Sequence, residues 1–178
     1  MARMQLGSNI VVPAIQVGSN EVAGYTLDEY NSAFPITGNV IIKSVKIAKY
    51  RSFFYRFAGC GDIKSISFPE LESIEHQGLQ RALSECTNLE HAYFPALSTI
   101  FESGMTGTFN SCTSLARIDF PALATVLPGA FGTSSLCFAN CTGLTAIHFP
   151  AAIQSAIEGL TGYASKFGAV NATIYFDL

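Results

Sequence analysis

The sequence repeats itself with a nearly fixed period, and this constrains the fold more than any other feature. Four cysteines lie 26, 26 and 29 residues apart, at Cys60, Cys86, Cys112 and Cys141. Phe-Pro pairs keep the same steps, and the shared unit reads FxxCTxLxxIxFPALxTI. A period of this length predicts a solenoid, in which each coil buries its apolar residues only against neighbouring coils. We therefore expect a mainly β solenoid of about four to five coils, each of 26 residues, with a capping unit at either end.

Each unit predicts two short extended segments and a return. The stretch Leu-x-x-Ile-x-Phe alternates at its end, as a half-buried strand does, and the following Pro ends the strand because it cannot donate a ladder hydrogen bond. A second apolar pair, as in Leu123 and Val126, predicts a second strand or turn. The variable remainder of the unit predicts a 3₁₀ or short helical turn that returns the chain to the next coil. Stacked coils would align equivalent side chains in three interior rows: Ile63, Leu89, Leu115, Leu144; Ile66, Ala92, Ile118, Ile147; and Phe68, Phe94, Phe120, Phe149.

The pattern divides the chain into four parts. Residues 1–38 match no repeat, and we expect an N-terminal cap or attachment segment there, with partial disorder as the third possibility. Residues 39–56 predict capping strands, 57–150 the repeats, and 151–178 a C-terminal cap made of a short helix and a closing strand. Three extra residues in the fourth unit, within 127–135, predict a protruding loop.

Composition narrows the possible functions. Hydrophobic residues make up 49% of the chain and charged residues 13%, which excludes general disorder. A net charge of −3 provides no basic stripe, so we expect no nucleic-acid partner. No apolar run has the length of a secretory signal or a membrane span. We therefore expect no membrane insertion, and a virion-associated or cytoplasmic location in preference to classical secretion.

The positions of the cysteines are better explained by the repeat than by metal binding or disulfide formation. Four of them occupy one equivalent position, which predicts a stacked row of small buried side chains, a role that Cys often has. Cys137, the fifth, stands where other units have Ala82 and Thr108. Because the sequence contains no CxxC motif and no Cys/His cluster, we expect no metal site and no cofactor.

The unit FxxCTxLxxIxFPALxTI resembles the bacterial surface antigen (BspA-type) leucine-rich repeat, and four in-phase copies carry the resemblance. It implies a leucine-rich-repeat solenoid and a role in recognition, since such repeats are typical of adhesive surface proteins of bacteria and protists. Similar units occur in phage or prophage proteins. The unit lacks the Asn that follows the strand in the common leucine-rich pattern, so strong horseshoe curvature is not expected.

Within the strands, the variable positions between the apolar ones are the candidates for binding. They form an outward row, about 19 Å long at roughly 4.8 Å per coil, that could contact a peptide, a glycan or a flat protein surface. This row is Ser67, Tyr93, Asp119, His148 and Tyr175. Two flanking rows are Lys64, Glu90, Ala116, Thr145 and Ser65, His91, Arg117, Ala146. From these rows we select as ligand-binding residues Tyr93, Asp119, His148, Tyr175, His91, Arg117, Glu90 and Ser67. The alternative is that these residues are only solvated strand positions.

Catalysis is the weakest hypothesis. Asp119 and His148 fall on adjacent coils, but Ser67, the serine of the same row, is two and three coils away from them, beyond hydrogen-bond reach. We therefore expect no enzymatic activity and no catalytic residues.

Two functional hypotheses remain. The first is a recognition or adhesion solenoid displayed at a bacterial or viral surface, where it binds a protein or glycan partner. The second is a structural component of a virion or appendage, attached through its N-terminal segment.

Overall fold

The computed structural model describes residues 38–178 in full and, before them, the backbone of short strands. Those strands are β1 (Met4–Gln5), β2 (Val11–Val12), β3 (Ala14–Val17) and β4 (Asn20–Val22). β1 pairs with β2, and β3 pairs with β4, in both cases antiparallel. The remainder of the predicted segment 1–38, apart from Gly38, lies outside the described residues. Its role as a cap or attachment segment therefore stays a prediction.

Two β-sheets, whose strands are parallel throughout the stacked coils, form two walls of the solenoid. The remaining strands are β5 (Gly38–Lys43), β6 (Ile47–Ala48), β7 (Ile63–Ser67), β8 (Ser73–Ile74), β9 (His91–Tyr93), β10 (Thr99–Ile100), β11 (Arg117–Asp119), β12 (Thr125–Val126), β13 (Ala146–Phe149) and β14 (Thr173–Phe176). The larger sheet has the order β14-β13-β11-β9-β7-β5-β3-β4, and it is parallel from β5 to β14. The smaller sheet is β12-β10-β8-β6. This arrangement confirms the predicted mainly β solenoid of stacked coils.

The strands pair at the repeat spacing. Ile66 pairs with Ala92, and Ile118 pairs with Ile147, as the predicted interior rows require. Val40 of β5 pairs with Ile66, also 26 residues further on. The repeated geometry therefore begins upstream of residue 57. The sequence does not show this first coil, because β5 keeps the apolar alternation but has neither the Phe-Pro pair nor the Cys of later coils. The division of the chain at residues 38, 56 and 150 into cap, capping strands, repeats and C-terminal cap remains a prediction.

The return segments form a third wall of tight turns in place of the predicted 3₁₀ or helical turns. Backbone hydrogen bonds connect each coil to the next, as from Leu79 N–H to the Gly104 carbonyl at 2.9 Å. Every fourth residue of the second coil has a left-handed φ: 57° at Gln77, 52° at Arg81 and 64° at Glu85. A left-handed φ disfavours side chains by roughly 1–2 kcal/mol each. The stacked hydrogen bonds hold the chain in this conformation by satisfying its backbone groups.

A stack of phenylalanines fills the core. The rings of Phe68, Phe94, Phe120 and Phe149 follow one another with centroids 5.4, 6.2 and 5.4 Å apart and planes within 18°. Each of these side chains is at most 1% exposed, and the other two predicted interior rows are also buried. The predicted rows are thus confirmed.

The insertion in the fourth unit does not form a protruding loop over most of its length, so that prediction was wrong. Pro128, Thr133 and Ser134 are exposed, but Ala130 and Phe131 are buried. The Phe131 ring lies 5.8 Å from those of Phe120 and Phe149 and 4.7 Å from that of Phe167. The extra residues therefore place an additional aromatic ring inside the coil, where burying it stabilises the fold.

The C-terminal part folds over the last coil. A 3₁₀ turn (Ala151–Ile153), the helix α1 (Gln154–Glu158) and a second 3₁₀ segment (Tyr163–Gly168) precede β14. Ile153, Ile157 and Phe167 bury their side chains in the core. β14 pairs with β13 through Ile147 and Ile174, so the sheet continues in register to the end.

Three of the four cysteines of the predicted row are buried, Cys60 is partly buried, and the row adds a set of hydrogen bonds between coils. The thiols of Cys86, Cys112 and Cys141 donate to main-chain carbonyls of the preceding coil at 3.0, 3.1 and 2.9 Å. None of the five cysteines, all within residues 38–178, forms a disulfide. Burial raises the pKa of Cys86 and of Cys141 to about 12, which keeps both thiols protonated at neutral pH. Because the thiolate is the reactive and metal-binding form, these residues are structural.

Phe120→Ala should lower the free energy of unfolding by about 3–5 kcal/mol, because it removes a ring packed between two others and leaves a cavity. Urea denaturation at pH 7 measures this loss. Phe101→Ala is the matched control: Phe101 is 40% exposed, and its removal should change stability by less than about 1 kcal/mol. Equal losses in the two variants would contradict the assignment of Phe120 to the interior stack.

Stability should fall as pH rises from 9 to about 12. In the folded chain Cys86 and Cys141 keep their protons up to about pH 12, whereas an unfolded chain releases them near the ordinary value of 9.0. The stabilisation is therefore fully present below pH 9 and is lost above it. Urea midpoints at pH 7, 9, 10 and 11 measure the slope, and Cys86→Ala/Cys141→Ala should be less stable at pH 7 but lose less on going to pH 11. A parallel decline in both proteins would show that these thiols do not cause it.

Candidate functional site

The larger sheet aligns the predicted outward residues across neighbouring strands. Tyr93 pairs with Ser67 on one side and with Asp119 on the other, and Asp119 pairs with His148. His148 in turn pairs with Tyr175. Since side chains alternate across a strand, residues two positions earlier, such as His91 and Arg117, point to the same face. The residues of the predicted outward row are thus neighbours on adjacent strands, while their role in binding stays a prediction.

A groove with a volume of about 570 Å³ crosses β7, β9 and β11 on this face. Five of the eight predicted binding residues line it: Ser67, His91, Tyr93, Arg117 and Asp119. Pro95 and Pro121, which end two of these strands, also line the groove. The other three predicted residues, Glu90, His148 and Tyr175, do not line it.

Tyr93 is the most prominent side chain of the groove. It is 50% exposed, although it lies in the middle of the sheet. Its strand neighbours Ser67 and Asp119 are shorter, and the His91 ring centroid lies 5.9 Å from that of Tyr93. A tyrosine with open sides can place an apolar ring and a hydroxyl against a ligand at small entropic cost, and for this reason Tyr is frequent at binding hot spots.

Arg117 and Asp119 form an ion pair at the edge of the groove. Arg117 Nε donates to Asp119 Oδ1 at 2.7 Å, and the side chains are 53% and 39% exposed. The hydrogen bond to Asp119 raises the pKa of Arg117, which therefore stays charged. Such an exposed pair contributes little to stability. It does hold the guanidinium in place, with its terminal N–H groups available for a ligand carboxylate or hydroxyl.

His148 is not an open binding residue, contrary to the prediction. It is only 7% exposed, because the Tyr175 ring stacks on it with centroids 4.6 Å apart. Its Nδ1 donates to Asp177 Oδ1 at 2.7 Å. Asp177 follows Phe176 at the position where the repeats have Pro after Phe, so the periodicity did not predict this contact. Tyr175 remains 41% exposed at the end of the row.

The remaining predicted residue, Glu90, is exposed beside β9 and lies outside the groove. Asp119 and His148 share a pairing position, but each binds another partner, Arg117 and Asp177 respectively. Residues 38–178 contain no cluster of three or more potential metal ligands. In that same part of the chain, no helix has the length and apolarity needed to cross a membrane.

Comparisons with known proteins give one family match and one similar solved structure, and the family match agrees with this architecture. The family model described as BspA type leucine-rich repeat region matches residues 38–155 in six copies. A crystal structure of a leucine-rich repeat protein from T. pallidum (TpLRR) is similar at 18% identity, over 80% of this chain and 76% of that one, with a TM-score of 0.38. No curated protein matches the chain at a significant level.

The family match includes every strand that carries the groove. Repeats of this type indicate a role in protein interaction or adhesion, and they are typically non-enzymatic binding scaffolds. The matched region covers most of the sequence and coincides with the stacked coils described above. The chain therefore belongs to the BspA-type leucine-rich repeat family.

Proposed function

We propose that this protein is a non-enzymatic recognition solenoid, displayed at a bacterial or viral surface, that binds a protein or glycan partner through the outer face of its larger sheet. The groove around Tyr93 carries this proposal. Its volume, about 570 Å³, lies within the range of ordinary ligand sites.

The contrast between inward and outward positions supports this role. Successive coils keep Phe at the inward position that follows the outward row. Over the same coils the adjacent outward position changes from Ser67 to Tyr93 to Asp119. The stacking of the coils restrains the inward position and leaves the outward position free. Side chains at the outward position can therefore be selected for contact with a partner.

The chemistry of the groove suits a ligand with both an apolar surface and hydrogen-bonding groups. The Tyr93 ring could stack against a sugar ring or an apolar side chain. Arg117 offers donors, and Asp119 and Ser67 offer acceptors, within the space of two neighbouring strands. These groups lie on a rigid sheet, which limits the entropy lost on binding.

The alternative role, a structural component of a virion or appendage, would depend on attachment through residues 1–38. That segment lies largely outside the described residues. The described geometry supports the recognition role through the groove.

The test is a binding screen with the purified chain on a printed array of bacterial and animal-cell glycans and on a library of displayed 12-residue peptides. The strongest hit is then titrated by interferometry. Tyr93→Ala and Arg117→Ala should each weaken binding about tenfold or more, equivalent to at least about 1.4 kcal/mol, with an unchanged melting temperature. Phe101→Ala removes an exposed aromatic ring that lies outside the groove, and it should bind as the wild type does. Wild-type affinity in both groove variants would refute the proposed site.

A further inference from the structure

The positive charge of this acidic protein is concentrated in its first coil. Residues 38–57 contain five of the ten Lys and Arg residues and no Asp or Glu, while the whole chain has a net charge of −3. The five are Lys43, Lys46, Lys49, Arg51 and Arg56. The first coil therefore has a charge opposite to that of residues 58–178, which contain four Lys or Arg and ten Asp or Glu.

Aromatic rings and guanidinium groups form a continuous surface on the third wall at this end. The Tyr50 ring stacks on His76 with centroids 6.0 Å apart. Arg51 lies over Tyr50 at 5.5 Å and over Phe54 at 4.7 Å. The Phe54 ring meets Tyr55 at 4.6 Å, and Arg81 lies over Tyr55 at 5.6 Å. We call this surface the aromatic–arginine patch: Tyr50, Arg51, Phe54, Tyr55, His76 and Arg81.

The two arginines of the patch have neutral partners. Arg51 Nε donates to Gln77 Oε1 at 2.8 Å, and an Arg81 terminal nitrogen donates to Ser135 Oγ at 3.4 Å. By contrast, Lys46 of the same coil is paired with Glu72 at 3.2 Å. Arg51 and Arg81 are therefore oriented by rings and amide or hydroxyl groups, and no carboxylate of residues 38–178 neutralises them at salt-bridge distance. Guanidinium groups stacked in this way bind carboxylates well, because their planar donor edges stay open.

The fold does not require these large side chains. Arg51, Tyr55 and Arg81 have left-handed φ angles of 53°, 55° and 52°. Later coils carry Gly107 at the position of Tyr55 and Arg81, and Gln77, Ser103 and Gly129 at the position of Arg51, so large side chains are not needed there; glycine is the residue that this conformation favours. Large polar and aromatic residues thus occupy positions where the backbone alone would favour glycine. Their side chains remain at the surface, with Tyr50 59% and Tyr55 44% exposed.

We propose that the aromatic–arginine patch is a second binding site, and that its ligand is an acidic segment of a partner protein in which Asp or Glu alternates with apolar or aromatic residues. The carboxylates would pair with Arg51 and Arg81, and the apolar side chains would cover Tyr50 and Tyr55. Glu75, Glu85 and Glu102 follow the patch on the same wall. They would repel a uniformly charged polyanion such as a sulfated glycan, but a mixed-sequence polypeptide can avoid them. The patch lies on a different wall from the groove, so this proposal does not depend on the function proposed for Tyr93.

The test measures binding of the purified chain to synthetic 12-residue peptides by fluorescence anisotropy. One set alternates Glu or Asp with Tyr and Leu, a second replaces every acid by Lys, and heparin fragments are the polyanion probe. The test variant is Arg51→Gly/Arg81→Gly, because glycine keeps the left-handed backbone and should not impair folding. The control is Lys64→Ala/Lys166→Gly, which removes the same charge and includes a left-handed cation, Lys166 with φ 52°, in the C-terminal part of the chain.

An acidic–aromatic peptide should bind the wild type and the control variant equally. Its affinity should fall at least tenfold in Arg51→Gly/Arg81→Gly, and the affinity of the wild type should fall at least tenfold at 500 mM salt. Tyr93→Ala should leave this binding unchanged, which separates the patch from the groove. The proposal is overturned if no acidic peptide binds, if the Lys peptides bind equally well, or if both double variants lose affinity to the same extent. Tighter binding of heparin than of any peptide would also overturn it, by identifying a polyanion site.

Discussion

The structure depends on one constraint: each coil can bury its apolar residues only against the same residues of adjacent coils. The stack of Phe68, Phe94, Phe120 and Phe149 shows this directly, with rings nearly parallel and about one coil apart. A shift of one residue between strands would turn every buried side chain outward, so the stack fixes the register. The thiol hydrogen bonds and the turn-wall hydrogen bonds repeat with the same period and strengthen the same register.

This constraint also decides where function can lie. Because the interior positions are restrained coil by coil, variation is confined to outward strand positions and to side chains on the turn wall. The groove around Tyr93 uses the first kind of position, and the aromatic–arginine patch around Arg51 uses the second. Both are built from residues that contribute little to packing, so changes there could alter binding while the stack remains intact. A solenoid of this kind can present different surfaces on different walls.

The repeat made the solenoid, its register and its interior rows predictable, since equivalent positions 26 residues apart had to meet. Features without a counterpart in other units were not predictable. Phe131 belongs to an insertion, and it enters the core because an aromatic ring can be buried beside Phe120. His148 satisfies the outward pattern, yet the Tyr175 ring covers it and Asp177 binds it; both contacts depend on individual side chains and not on the repeat. The patch depends on individual ring and guanidinium contacts, which periodicity does not encode.

Disulfide trapping tests the in-register stack most directly. Thr99 pairs with Ser73 on one side and Thr125 on the other, in the smaller sheet. Adjacent strands lie about 4.8 Å apart, which is within the range that a disulfide can bridge, whereas strands two coils apart are too far from each other. Mild oxidation followed by peptide mapping should therefore link the engineered cysteines of Ser73→Cys/Thr99→Cys and Thr99→Cys/Thr125→Cys, but not those of Ser73→Cys/Thr125→Cys. Efficient linkage in the third pair, or none in the first two, would contradict the stacked order and register on which both proposed binding surfaces depend.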